Sequence, residues 1–216
     1  MLKALQQILQ RLYAVDVGYD ITDFVITDAA LVSRLGGHET ADVPEKLLIH
    51  QDGDNVDVSL YLEPDLVARL EQDDPFKWLH AHNISEFCVA LEGVSHFLYL
   101  AWNAASDRRI TLLELEIQAE VDKYATLAIL LKAQRGSSLP GWLRRWLFEK
   151  VSFLPTLSRQ QLERYCHANH FAGRYCRHLE RRFCWRWNGK DLVKELRQFY
   201  RFGQGQKINY INHVCI

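Results

Sequence analysis

The sequence predicts an α+β protein that is mostly helical, with a small N-terminal antiparallel β-hairpin sheet packed against a multi-helix bundle. Three observations carry this. Residues 46–62 alternate apolar and polar side chains around a turn, which is hairpin patterning. Beyond residue 64 the apolar positions recur at helical spacing behind helix-start signals. The strands come first and the helices after, which argues segregated elements rather than alternating βαβ units. A chain of 216 residues, 48% hydrophobic and 25% charged, can bury a sizeable core and is not disordered.

Leu2, Leu5, Leu9 and Leu12 place an amphipathic helix over residues 2–13, broken by Gly18. Ile21 to Ile26 reads as a short strand, and Asp28 as the cap of a short helix stopped by Gly36-Gly37. In the hairpin, KLLIHQ leads through DGDN into VDVSLYL. Val56, Val58, Leu60 and Leu62 share one face of the second arm, with Asp52-Gly53 at the tip. Pro64 opens a helix to about Gln72, and Asp74-Pro75 opens a shorter one. Asn83 with Glu86, Thr111 with Glu114 and Ser158 with Gln161 are spaced as capping boxes. They start helices running to about Asn103, Ala133 and Trp185. Pro140 introduces a helix over 142–151, and 190–200 forms another, ended by Gly203. The tail QGQKINYINHVCI is expected to be extended or irregular.

Net charge is −1, but it is unevenly spread. Residues 1–129 hold 9 Lys and Arg against 22 Asp and Glu, while residues 130–216 hold 17 against 5. The chain therefore divides into an acidic α+β part, 1–135, and a basic helical part, 136–216, expected to pack as one unit with a seam at 136–140. Such asymmetry suits docking of the halves on each other or an acidic partner for the basic half. The five cysteines, Cys88, Cys166, Cys176, Cys184 and Cys215, are odd in number and form no C-x-x-C pair. Free thiols and a cytoplasmic location are the expectation. No secretory signal or run of about 18 apolar residues is apparent.

The basic helix at 158–185 has the sharpest pattern. Leu162, Tyr165, Ala168, Ala172, Tyr175, Cys176, Leu179 and Phe183 form its apolar arc. The other arc carries Arg159, Arg164, His167, His170, Arg174, Arg177, His178, Arg181 and Arg182, offset by Glu163. Guanidinium groups bind phosphates and carboxylates through forked hydrogen bonds, so this face points to a nucleic acid or an acidic protein partner. Docking on the acidic half and plain solvation are the competing readings. The RFCWRW run and Trp142, Arg144, Arg145 and Trp146 add aromatic character nearby, suited to base stacking or to the core. No helix-turn-helix, RNA-recognition or zinc-finger signature selects a partner.

The helix at 83–103 offers different chemistry. Ile84, Phe87, Leu91, Val94, Leu98 and Trp102 form one apolar face, and the opposite face carries Glu92 and His96 four residues apart. A carboxylate and an imidazole at that spacing can hold one divalent metal or each other. Glu120, on the edge of the next helix's apolar stripe, needs a partner if buried and could complete a three-ligand site. There is no H-E-x-x-H, and the E-x-x-H of di-iron bundles is absent. His80 with His82, and the Cys166, His167, His170, Cys176, Cys184 group, are looser metal candidates. The sequence thus supports a non-enzymatic binding or adaptor protein first. A metal-dependent hydrolase-like enzyme and a structural subunit of a larger complex are the alternatives.

Overall fold

The computed structural model describes residues 1–36, 43–53, 55–136, 140–153, 155–183 and 189–214. The Ser137–Leu139 loop, the run from Cys184 to Trp187, and Cys215 lie outside the described residues.

The fold is α+β and mostly helical. Helix α1 (Leu2–Tyr13) leads through a 3-10 turn (Ile21–Asp23) into strand β1 (Val25–Ile26), followed by α2 (Ala29–Gly36). The hairpin is β2 (Glu45–Asp52) and β3 (Asn55–Leu62), and α3 (Pro64–Gln72) follows. The long helices α4 (Ile84–Ala104), α5 (Leu112–Arg135) and α7 (Arg159–Phe183) form the body, with the short α6 (Trp142–Phe148) between α5 and α7. Then come α8 (Lys190–Arg201) and α9 (Gln204–Val214).

The sheet order is β1-β3-β2. The hairpin pairs antiparallel, with Leu47 opposite Leu60 and Ile49 opposite Val58, and Gly53 supplies the positive φ of 60° at its turn. The expected strand near Ile21 shortens to two residues, and these pair parallel to β3, Val25 with Leu60. The sheet is therefore mixed rather than antiparallel. The reason is topological: the connection through α2 and β2 brings the chain back in the same direction as β1.

Helix α4 lies on this sheet at Gly93, where a Cβ would stand 2.6 Å from Leu60 Cδ1. Glycine is what permits that approach. On its other sides α4 packs against α1, α3 and α5. It is long and apolar enough to cross a membrane, but 67% of its most apolar stretch is buried within the molecule, which accounts for its composition. Helix α5 is covered by α4 and α7, and Glu114, Glu116, Gln118, Asp122 and Lys123 are all buried along it. One hydrophobic core runs from Leu5 and Leu9 through Phe87, Leu127, Tyr175 and Phe199 to Ile211.

Two local expectations change. The tail after Gly203 is helical, because Lys207 and Ile211, one turn apart, are both fully buried anchors. Asn83 does not form a capping box. Its side chain accepts from His80 N at 3.0 Å and donates to Trp78 O at 3.0 Å, while Glu86 pairs with Arg69. Thr111 does cap, accepting from Glu114 N at 3.1 Å. Ser158 and Gln161 make both bonds of the box, at 3.3 and 2.8 Å.

Candidate metal centre

Three elements meet at His96. The imidazole projects from α4 between β2 and α5, with Nδ1 3.8 Å from Glu45 Oε1 and Nε2 3.5 Å from Glu116 Oε2. Both gaps are too long for hydrogen bonds. His96 Nε2 and Glu45 Oε1 are indeed buried polar atoms without a hydrogen-bond partner. Only 7% of the His96 side chain is exposed, so water does not substitute. Glu92, one turn earlier on α4, completes a set in which the ligand atoms of Glu45, Glu92 and His96 all lie within 4.8 Å of one another.

A second layer of charge surrounds this set. Lys123 on α5 donates to Glu92 Oε2 at 3.0 Å and to Glu120 Oε1 at 2.5 Å. Arg164 on α7 places Nε 3.5 Å from Glu116 Oε1. Glu92 and Glu120 keep 23% and 19% of their side chains exposed, so the cluster has an opening to solvent on their side.

Of the residues predicted from sequence, Glu92 and His96 come together. Glu120 does not join them in the three-residue group, because Lys123 at i+3 draws its carboxylate aside, and Glu45 takes the third place. Sequence reasoning missed Glu45, Glu116 and Lys123. Only the E-x-x-x-E spacing of Glu116 and Glu120 signalled that α5 turns a second carboxylate toward the same place.

The electrostatics express crowding of like charge. Burial works against the imidazolium of His96, but Glu116 and Glu45 outweigh it and lift its pKa well above the usual value. Burial lifts the Glu45 carboxyl, with only partial relief from His96. It lifts Glu120 also, against the pull of Lys123. For Glu92 the burial penalty is overcome by Lys123 and His96, which hold its carboxyl below the usual range. His96, Glu45 and Glu120 thus hold their protons more tightly than usual, while Glu92 gives its proton up more readily. Carboxylate oxygens with one imidazole nitrogen form a donor set suited to a divalent ion such as manganese, iron or zinc, whose binding would displace those protons.

The looser metal candidates do not converge among the described residues. Cys176 is buried while Cys166 is exposed. His80 instead pairs with Asp73 at 3.0 Å, its ring 5.8 Å from that of His82.

The arginine face is less uniform than its sequence. Arg164 turns inward to Glu116 of the acidic part. Arg174 donates to Asn212 Oδ1 at 2.8 Å and Ile211 O at 3.4 Å. Arg177 lies 3.8 Å from Glu149, and Arg182 lies 3.6 Å from Glu195. Arg159, 93% exposed, meets Glu163 at 2.9 Å. Arg181, His167 and His170 face solvent. His178 is partly buried, and that burial lowers its pKa.

A separate polar network fills the other side of α5. Asp122 accepts from Tyr13 OH, from Ser95 Oγ at 2.6 Å and from Gln118 Nε2 at 2.8 Å. Lys207 Nζ donates to Gln118 Oε1 at 2.7 Å and to Phe199 O at 2.8 Å. Burial pushes Asp122 up to about 6 and Lys207 down to about 7.

No protein-family model, curated protein or solved structure matches this chain. The functional reading therefore rests on the geometry alone.

Proposed function

We propose that the protein is a metal-dependent, hydrolase-like enzyme whose centre is Glu45, Glu92 and His96, with Glu116 as a fourth donor. The observation that carries this reading is the pair of buried, unbonded atoms His96 Nε2 and Glu45 Oε1, aimed into a cluster of carboxylates. Leaving such atoms unsatisfied is costly, and an ion that both can ligate removes the cost. A bound divalent ion would supply Lewis acidity and a water activated near neutral pH. Within the chain, Lys123 orients Glu92 and holds Glu120 at the opening, where Glu120 is placed to accept a proton. Arg164 places a positive charge 3.5 Å from Glu116 on the side of α7.

The test is elemental analysis of purified protein, followed by titration of apo-protein with Mn²⁺, Fe²⁺ and Zn²⁺. About one ion per chain is expected, lost in Glu45→Gln and His96→Ala, with a rise in Tm on reloading. Protein that stays folded without metal and shows no Tm response to any of the three ions overturns the reading. Hydrolysis of chromogenic ester and phosphoester panels then tests the enzymatic part, with activity expected to vanish in Glu92→Gln.

A second reading keeps the basic helix as a docking face for nucleic acid or an acidic protein. What supports it is the solvent exposure of Arg159, Arg177, Arg181 and Arg182. Reversal of Arg177 and Arg181 to Glu should then abolish low-salt binding of single-stranded DNA or an acidic peptide, read by fluorescence anisotropy, without loss of helical circular dichroism. Wild-type protein that binds neither ligand removes this reading.

A further inference from the structure

A cleft of about 480 Å³ opens between α6 and α7, and none of its lining residues belongs to the metal centre. His170, Arg174, Arg177 and Arg181 line it from α7, at spacings of three and four that stack them on one face. Gly173 brings the two helices together: a Cβ there would stand 3.1 Å from Phe148 Cβ. That close approach sets Arg144 of α6 opposite the α7 arginines. Four guanidinium groups thus surround one concavity, with Glu149 the only carboxylate among the lining residues.

Glu149 shows what the concavity is shaped to hold. Its Oε1 accepts from Arg144 Nη1 at 2.8 Å and lies 3.8 Å from Arg177 Nη2, so one anionic oxygen sits between guanidiniums of two helices. Behind Arg144, Glu180 accepts from Nε at 3.0 Å and fixes the direction of the fork. The Glu149 side chain is 45% exposed and follows the last residue of α6, so it is free to swing out. Glu149 and Glu180 are two carboxylates beside these guanidiniums, and a phosphate group seated where the Glu149 carboxylate lies would meet the same Arg144 and Arg177 donors.

We propose that this cleft binds the phosphate or diphosphate group of a small metabolite, and that Glu149 is a tethered anion which the ligand displaces. The shape favours a small ligand: a cavity of this volume accommodates one, whereas a nucleic-acid backbone needs an extended open track of cations. The inference does not rest on the metal centre.

The experiment is calorimetric titration of the full chain with pyrophosphate and inorganic phosphate, at low ionic strength in metal-depleted buffer. Pyrophosphate should bind one to one, and more tightly than phosphate. Glu149→Gln should tighten binding by about tenfold, because it removes the competing anion without opening a cavity. Arg177→Gln combined with Arg181→Gln should weaken it by about tenfold or more. Arg159→Gln, outside the cleft, should change nothing. The proposal is overturned if neither wild type nor Glu149→Gln takes up pyrophosphate, or if all variants bind alike. It is equally overturned if single-stranded DNA binds and pyrophosphate fails to compete, which would return the arginines to the nucleic-acid reading.

Discussion

The ammonium of Lys207 sits in the core with none of its surface exposed, 4.3 Å from the centre of the Phe199 ring. Burial depresses its pKa from 10.5 to about 7, so between those values the unfolded chain holds a proton that the folded chain lacks. Stability from this group therefore rises with pH across that window. Denaturant unfolding of wild type and Lys207→Met should show a difference that changes in favour of wild type from pH 7 to pH 10. Asp122 has the opposite sign. Its pKa is raised from 3.8 to about 6, so its contribution is present near pH 4 and is lost as pH rises through 6. Asp122→Asn should flatten that part of the profile. At this scale the sequence was partly legible. Glu92 and His96 could be paired because helical spacing is rigid. Glu45 could not, because its distance from His96 depends on how β2 lies across α4. Lys207 was missed because a lysine in a polar-looking tail gives no sign that its ammonium is bonded inside the core.

Among the elements, the seating of α4 on the sheet is tightest at Gly93. An added methyl would meet Leu60 Cδ1 at 2.6 Å and Glu45 Cγ at 3.0 Å. Overpacking of this kind costs about 1–3 kcal/mol, against a gain of about 1 kcal/mol in helix propensity. Gly93→Ala should therefore lower stability on balance. Because the clash includes Glu45, it should also weaken metal uptake, measurable by the titration that tests the centre. Helix α5 shows why helix existence was readable while its role was not. Glu116, Glu120 and Lys123 belong to the charged cluster beside His96, Gln118 and Asp122 to the network around Tyr13, and Glu114 accepts from Tyr99 OH and Gln204 N. A helix polar on two faces reads as solvated, yet it is buried because these groups, Glu120 aside, have partners from other elements. The hairpin was legible from alternation, whereas the parallel pairing of β1 was not, since two residues carry no periodicity. Helix α9 was obscured by Gly205, Asn209 and Asn212, all poor helix formers, and is held by the burial of Ile211 and Lys207.

Across the whole molecule, the acidic and basic stretches are joined by individual bonds from several elements. Arg164 reaches Glu116, and Tyr124 OH donates to Glu180 Oε1 at 2.8 Å. Charge reversal should separate inward from outward arginines. Arg164→Glu sets two carboxylates together in a largely buried place and should destabilise by about 3 kcal/mol. Arg159→Glu, on a side chain 93% exposed, should shift stability by less than about 1 kcal/mol. Thermal melts of the two variants side by side decide the matter.

The C-terminal end of α1 carries a further implication. Arg197 donates to Leu12 O at 2.9 Å and Arg11 O at 3.0 Å, and Arg201 donates to Tyr13 O at 3.2 Å, so α8 satisfies carbonyls that a helix end leaves open. The partners are 185 to 188 positions apart in the chain. During synthesis the first helix must wait with its end unclosed until Arg197 and Arg201 have left the ribosome. Nascent chains that stop short of Arg197 should thus remain protease-sensitive around α1, and folding should be slow because this closing contact joins residues so far apart in the chain.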